Sequence, residues 1–365
     1  MCNGERELTK SVSLVGADGL LNPDAVGWSR HPLHDTSGIG IGNGARPKAW
    51  GRNKRWEYWL VMTPTHLFSL TVSDVDYASS HTVWAYEIPT GKRIDVTAIV
   101  PFARGTVLPP SSGDGSARGG SMSFGGRVLP RGPGRMRALI DTLKGGTRLR
   151  AAGQSEKRSN AGWSRVRFDV TAHRSPDHES LGVFVPWSDK RFQYMVKETA
   201  LPATGYLELD GELLELPEGE SWAILDHSRG RWPYRVDWNW AAASSPAESP
   251  SGTVSVGIQS GAKGTDGTGA RENAITVDGR LYPIHEDIAM DYEFGRWHKP
   301  WHLHSPSVDL WLEPFWNHDA VTDVRVIAVK ANQVFGYYSG TVTVDGQQIV
   351  IDRMLGFAED VRNKW

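Results

Sequence analysis

Cysteine occurs once in the 365 residues, at Cys2, so no internal disulfide can brace the fold. Excess charge of either sign is also missing. Forty basic side chains stand against 42 acidic ones, which leaves no field to hold a phosphate backbone or an anionic membrane, and nucleic acid is not an expected partner. No apolar run approaches the roughly 20 residues of a membrane-spanning helix. "MCNGERELTK" lacks the apolar core of a signal peptide, so the expectation is a cytoplasmic protein with no membrane span. A Gly-x-Ser-x-Gly nucleophile elbow is absent. "GIGIGNG" has none of the strand, lysine and helix that a phosphate loop requires, and reads as a flexible turn.

The chain is rich in turn formers and large aromatic side chains, with 40 glycines, 21 prolines and 16 tryptophans. The dominant hydrophobic period is two: "RWEYWLVM" sets Trp56, Tyr58, Leu60 and Met62 on one face of an extended strand. "EIPTGKRIDV", "LELDGELLEL", "TVDGRLYPI" and "TVTVDGQQIVI" place Gly-containing turns between apolar flanks, the signature of hairpins. Only "GRMRALIDTLKGG", residues 134–146, reads as helix. Residues 108–126, 244–252 and 260–272 read as loops. The expected fold is mainly β, with long loop insertions.

Residues 204–232 match residues 339–365 within the chain. Gly205 and Gly340 each stand five positions before an Asp-Gly turn, at Asp210 and Asp345. Each hairpin leads to an acid six residues before a tryptophan, Asp226 with Trp232 and Glu359 with Trp365. Arg229 and Arg362 recur, as do the bases Arg231 and Lys364. Two copies of one β unit follow, giving two tandem antiparallel β-barrels, residues 1–232 with an N-terminal arm and residues 233–365. Barrel closure explains the shared elements, with Trp232 as a plug and Arg229 satisfying carbonyls or a carboxylate. "PYRVDWNW" has no counterpart after Trp365 and reads as the passage between barrels. Its strand puts Tyr234, Val236, Trp238 and Trp240 on one face and Asp237 on the other. Clefts between domains favour binding sites.

"LNPDAVGWSRHPLHD", "KRWEYW", "VPWSDKRFQYMVKETALPATGYLELDG", "DHSRGRWPYRVDWNWA" and "FGYYSGTVTVDGQQIVIDRMLGFAEDVRNKW" resemble the domain-of-unknown-function family 2804 over nearly the whole chain. More distantly, the acid-then-tryptophan element is similar to that of carotenoid hydratases (hydroxyneurosporene synthases) and tocopherol-cyclase relatives. That resemblance implies two lipocalin-like (calycin-type) barrels and acid-driven chemistry on isoprenoid alkenes. "DHSRGRW" departs from their compact Asp-Arg-Glu-Trp run.

Protonating an alkene needs a carboxylic acid kept neutral near pH 7, which an apolar pocket achieves by disfavouring the ionised form. Asp226, Asp237 and Glu198 are the candidate acids. Against this stands pairing of Asp226 with Arg229 or Arg231, and of Asp237 with Arg235. Tyr234, Trp238, Trp240, Trp301 and Trp311 are candidate aromatic faces for a cation. Trp28, in the arm segment "GWSRHPLHD", is a candidate cover for a barrel mouth. The expected ligand is a hydrophobic small molecule undergoing hydration, isomerisation or cyclisation. The alternatives are a glycosidic substrate between paired carboxylates and a binding protein without catalysis. His302 and His304 of "RWHKPWHLH" can share a strand face, near His298, His285 and Asp287, and such a group can bind zinc. No recognised ligand motif is present, so no metal or cofactor is expected.

Overall fold

In the computed structural model, which describes residues 6–39, 49–124, 127–129, 134–155, 162–249, 252–323 and 328–365, the backbone is antiparallel sheet almost throughout. The sole helical element among the described residues is a 3-10 turn at Pro23–Ala25. One sheet runs through Arg93–Pro101, Ala78–Glu87, His66–Asp74, Asn53–Met62, Trp222–Arg231, Arg191–Leu209, Arg165–His173, Gly146–Ser155, Gly134–Leu143 and Ser116–Gly120. It curls until Arg93–Pro101 packs against Gly134–Leu143 and Gly146–Ser155, giving a nearly closed barrel. Phe68 and Phe168 meet across its interior at 5.0 Å. The second sheet starts at Arg280–Pro283 and runs through Ala274–Val277, Gly252–Ala262, Arg235–Ser249, Gln347–Lys364, Ala328–Val344, Val308–Asp323 and Trp301–Ser305 to Ala289–Asp291. It forms a half-barrel around Ile258, Trp301, Leu310 and Val342.

Alternation along each strand decides what faces what. In Trp222–Arg231, Ala223 and Leu225 enter the first barrel's core, while Trp222 and Ile224 face the second sheet. Asn53–Met62 divides likewise: Trp59 and Val61 point inward, and Tyr58, Leu60 and Met62 point across the seam. From the other side, Trp240, Ala242, Phe335 and Phe357 complete the apolar layer between the sheets.

The internal match has a structural reading. Asp210-Gly211 and Asp345-Gly346 each form a two-residue hairpin turn with both residues at positive φ, the type I′ combination. Gly205 and Gly340 have φ of 130° and 140°. A Cβ there would stand 2.2 Å from the Asp169 carbonyl oxygen and 2.0 Å from that of Asp309, so each glycine lets two strands cross closely. Gly340→Ala is expected to cost about 1–3 kcal/mol, read as a lower urea midpoint. An unchanged midpoint would show that the crossing relaxes freely.

Three expectations are corrected. Residues 134–146 are not helix: Met136, Ala138 and Ile140 point inward at period two, and Lys144-Gly145 turns the chain between two strands. The segment 108–126 contains the strand Ser116–Gly120. Residues 244–249 continue the strand Arg235–Ser249, and 252 begins the next. Most of "GIGIGNG" lies outside the described residues, as do Gly125 and Gly126, Pro250 and Ser251.

Candidate functional site

"PYRVDWNW" does have a counterpart, at the start of the first barrel. Asn53–Met62 and Arg235–Ser249 open the two sheets' repeated units, and each pairs with the strand that closes its own unit, Trp222–Arg231 and Gln347–Lys364. Tyr58 lies opposite Asp226 as Trp240 lies opposite Glu359. Two residues before each, an indole reaches diagonally to the acid: Trp56 Nε1 donates to Asp226 Oδ2 at 2.9 Å, and Trp238 Nε1 donates to Glu359 Oε1 at 2.9 Å. On the far side of each acid lies its third partner, Lys197 opposite Asp226 and Gln333 opposite Glu359.

These two half-sites interlock across the seam. Lys197 Nζ lies 2.9 Å from Asp226 Oδ1, 3.8 Å from Glu272 Oε2 and 3.8 Å from the centre of the Trp240 ring. Gln333 Nε2 donates to Glu359 Oε2 at 3.3 Å, and the Tyr58 hydroxyl of the first barrel donates to Gln333 Oε1 at 3.2 Å. Lys197, Asp226, Glu272, Gln333 and Glu359 are all buried. Trp56, Tyr58 and Trp238 are half-buried and form the outer side. Trp232 packs between Trp56 and Trp238, at 5.0 and 5.6 Å, and also meets Trp187 and Trp365.

Asp226 and Glu272 thus share one ammonium, whose charge also acts on Glu359. Burial, opposed in part by Lys197 and reinforced by Asp226, raises the Glu272 carboxyl from its ordinary value to about 7. Burial raises Glu359 to about 7 as well. The Trp238 hydrogen bond and the Lys197 charge pull it down, while Asp226 and Glu272 push it up. Burial also raises the Tyr58 phenol, keeping it a neutral donor. The seam therefore holds neutral carboxylic acids near neutral pH beside indole faces.

Of the residues singled out from the sequence, Asp226, Trp238 and Trp240 come together here. Neither Arg229 nor Arg231 pairs with Asp226, because alternation sends them to the opposite face. Arg229 donates to Glu57 Oε1 at 3.0 Å and to the carbonyls of Trp56, Ser228 and Pro109, inside the first barrel. Glu198 follows Lys197 on its strand and also points the other way. There Arg174 holds it at 2.9 Å, and against the upward push of burial the arginine keeps its carboxyl below the ordinary value. Asp237 is exposed on the outer face. Tyr234 is exposed and packs on Arg52 and Lys364. Trp301 is stacked on Tyr292 within the second core, at 3.8 Å, and Trp311 is an outer-face residue stacked on His302. Trp28 is buried beside His285, at 5.7 Å, in a two-residue strand that joins the branch strand Leu181–Ser188. Lys197, Glu272 and Gln333 escaped the sequence reading. Only Glu359 carried a signal, as the counterpart of Asp226.

The arrangement is a mainly β protein in which a nearly closed barrel and a half-barrel meet at a buried acid cluster beside tryptophans. The chain belongs to the family described as Domain of unknown function (DUF2804), whose model matches residues 5–365. No curated protein matches it. Among solved structures it is similar to kievitone hydratase from Nectria haematococca, with 12% identity over 92% of this chain and 97% of that chain, at a TM-score of 0.45. A candidate AttH of Nitrosomonas europaea has 12% identity, 88% and 94% coverage and a TM-score of 0.48. CghA bound to Sch210972 has 10% identity, 100% and 97% coverage and a TM-score of 0.41. No helix among the described residues is long and apolar enough to cross a membrane.

Proposed function

We propose that the chain is an enzyme that protonates a carbon–carbon double bond of an uncharged, hydrophobic small molecule in the seam between its two sheets. The observation that carries this reading is Glu359, a buried carboxyl raised to about 7, whose two oxygens are fixed by Trp238 and Gln333. In this reading Glu359 is the general acid. Its proton adds to one alkene carbon and leaves a carbocation at the other, facing the half-buried indole of Trp238. The Glu359 carboxylate is then the base that recovers a proton. Taken from an adding water, that proton gives hydration; taken from a neighbouring carbon, it gives isomerisation; taken from an internal hydroxyl, it accompanies ring closure. The Lys197–Asp226 pair and Glu272 set the field in which Glu359 stays protonated. The glycosidic alternative gains no comparable support, since the three carboxyls are buried beneath aromatic rings and do not line an open groove.

The test is solvent labelling. The protein is incubated in D2O with a panel of neutral terpenoid and aryl-substituted alkenes. For at least one compound, deuterium is expected at an alkene carbon of product or recovered substrate, dependent on Glu359. Binding of panel members without label incorporation would support the non-catalytic alternative and remove this one.

A further inference from the structure

We propose that the outer face of the second sheet carries a binding site for a divalent transition-metal ion of the zinc type, formed by Asp291, His302 and His304. One ligand atom from each lies within 4.8 Å of the others. The site follows from strand geometry. His302 and His304 are alternate residues of Trp301–Ser305, so both imidazoles leave the sheet on one side, with ring centres 4.6 Å apart. Asp291, on the three-residue edge strand Ala289–Asp291, lies directly opposite His302, and its Oδ2 is 2.9 Å from His304 Nε2. Zinc bonds of about 2.0–2.2 Å place two ligand atoms of a tetrahedral centre about 3.3–3.6 Å apart, between the 2.9 Å of the Asp291–His304 pair and the 4.8 Å that bounds all three, an adjustment that side-chain rotation supplies.

Two neighbours make the site more than a chance meeting of side chains. Asp309, on the other flanking strand, lies 2.7 Å from His302 Nε2. A metal-bound histidine characteristically gives its second ring N–H to a carboxylate, which fixes the tautomer and orients the ring, and Asp309 fills that place. Trp311 stacks on His302 with centroids 4.1 Å apart and planes 9° apart, holding the imidazole upright. Two imidazoles and one carboxylate suit zinc, copper or nickel, while magnesium and calcium want oxygen ligands. Bound metal would tie the edge strand to its neighbour and so close the turn through residues 292–300. The sequence carries no recognised ligand motif, because Asp291 and Asp309 come beside the histidines only through strand pairing.

Zn2+ titrated calorimetrically into the metal-stripped full chain tests the site, with Cys2→Ser as background to remove the one thiol. One-to-one binding is expected, with a raised unfolding temperature and, for Co2+, the visible absorption of a tetrahedral centre. His302→Ala and His304→Ala should each abolish stoichiometric binding while the circular dichroism spectrum is kept. Asp309→Asn should weaken binding by about 10–100-fold. His298→Ala, at an exposed turn position outside the cluster, should bind as the parent does. Absence of one-to-one Zn2+ binding in the parent, or binding retained in both His302→Ala and His304→Ala, would overturn the proposal.

Discussion

Glu359→Gln is expected to separate activity from stability. On an alkene substrate identified by solvent labelling, turnover should fall by about 100-fold or more, because the amide preserves shape and can accept from Trp238 but cannot deliver a proton. Above neutral pH the folded protein should nonetheless become more stable. In the unfolded chain both Glu272 and Glu359 ionise near their ordinary value of 4.5, whereas the folded protein holds their protons to about pH 7. The folded state binds more protons across that window, so stability declines as pH rises from about 4.5 to about 7. Glutamine carries no charge to bury, and at about pH 8 the gain should be on the order of 1–3 kcal/mol. Glu57 and Glu198 act in the opposite sense. Burial pushes both carboxyls up, but His227 and Arg229 at Glu57, and Arg174 at Glu198, hold them below the ordinary value, so their contribution is lost as pH falls into the acid range. Urea unfolding at a series of pH values distinguishes the two groups. A Glu359→Gln protein less stable than the parent at about pH 8, with full turnover, would remove Glu359 from the mechanism.

Lys197→Met should be the most damaging single change to the fold at the seam, costing about 3–5 kcal/mol at neutral pH. Lys197 is the cation in direct contact with Asp226 and Glu272, and its ammonium also sits on the Trp240 face. Without it, Asp226 is left as an uncompensated buried charge. Adding Asp226→Asn to Lys197→Met should restore more than half of the loss, because the remaining acids can stay neutral. If Lys197→Met cost less than about 1 kcal/mol, or the second change gave no recovery, the ammonium would not be what holds the carboxyls together. Asp226→Asn alone should lower stability and, by removing a charge that pushes Glu359 up, move the pH at which Glu359 controls turnover downward, whereas an Asp226 that acts only on the fold would leave that pH where it is.

Period-two reading of Trp56, Tyr58, Leu60 and Met62 found one face of the seam, and the internal match found the acids Asp226 and Glu359 together with the strand-crossing glycines. Those signals are local or repeated, so they survive in a single sequence. Lys197 and Gln333 do not resemble each other, although they occupy equivalent positions opposite the two acids. Side-chain identity hid a correspondence that only strand register reveals. Glu272 ends the turn-rich stretch 260–272 and reaches the cluster through tertiary packing, with no periodic pattern to mark it. The likeness of "KRWEYW" to "YRVDWNW" is masked by position, since most of each unit lies between its opening strand and its closing strand. The error at residues 134–146 has a simpler cause: "RMRALIDTL" satisfies both periods over a few residues, and the paired strands decide between them.

Infrared titration of the protein's carboxyl groups addresses the central claim without a substrate. At about pH 6 ordinary aspartates and glutamates are ionised, so any neutral carboxyl C=O absorption belongs to groups with raised values. The account predicts such a band at about pH 6, vanishing with a midpoint near 7 and losing a distinct part of its intensity in Glu359→Gln and another part in Glu272→Gln. No neutral carboxyl band at about pH 6, or a band of full intensity in both variants, would contradict it.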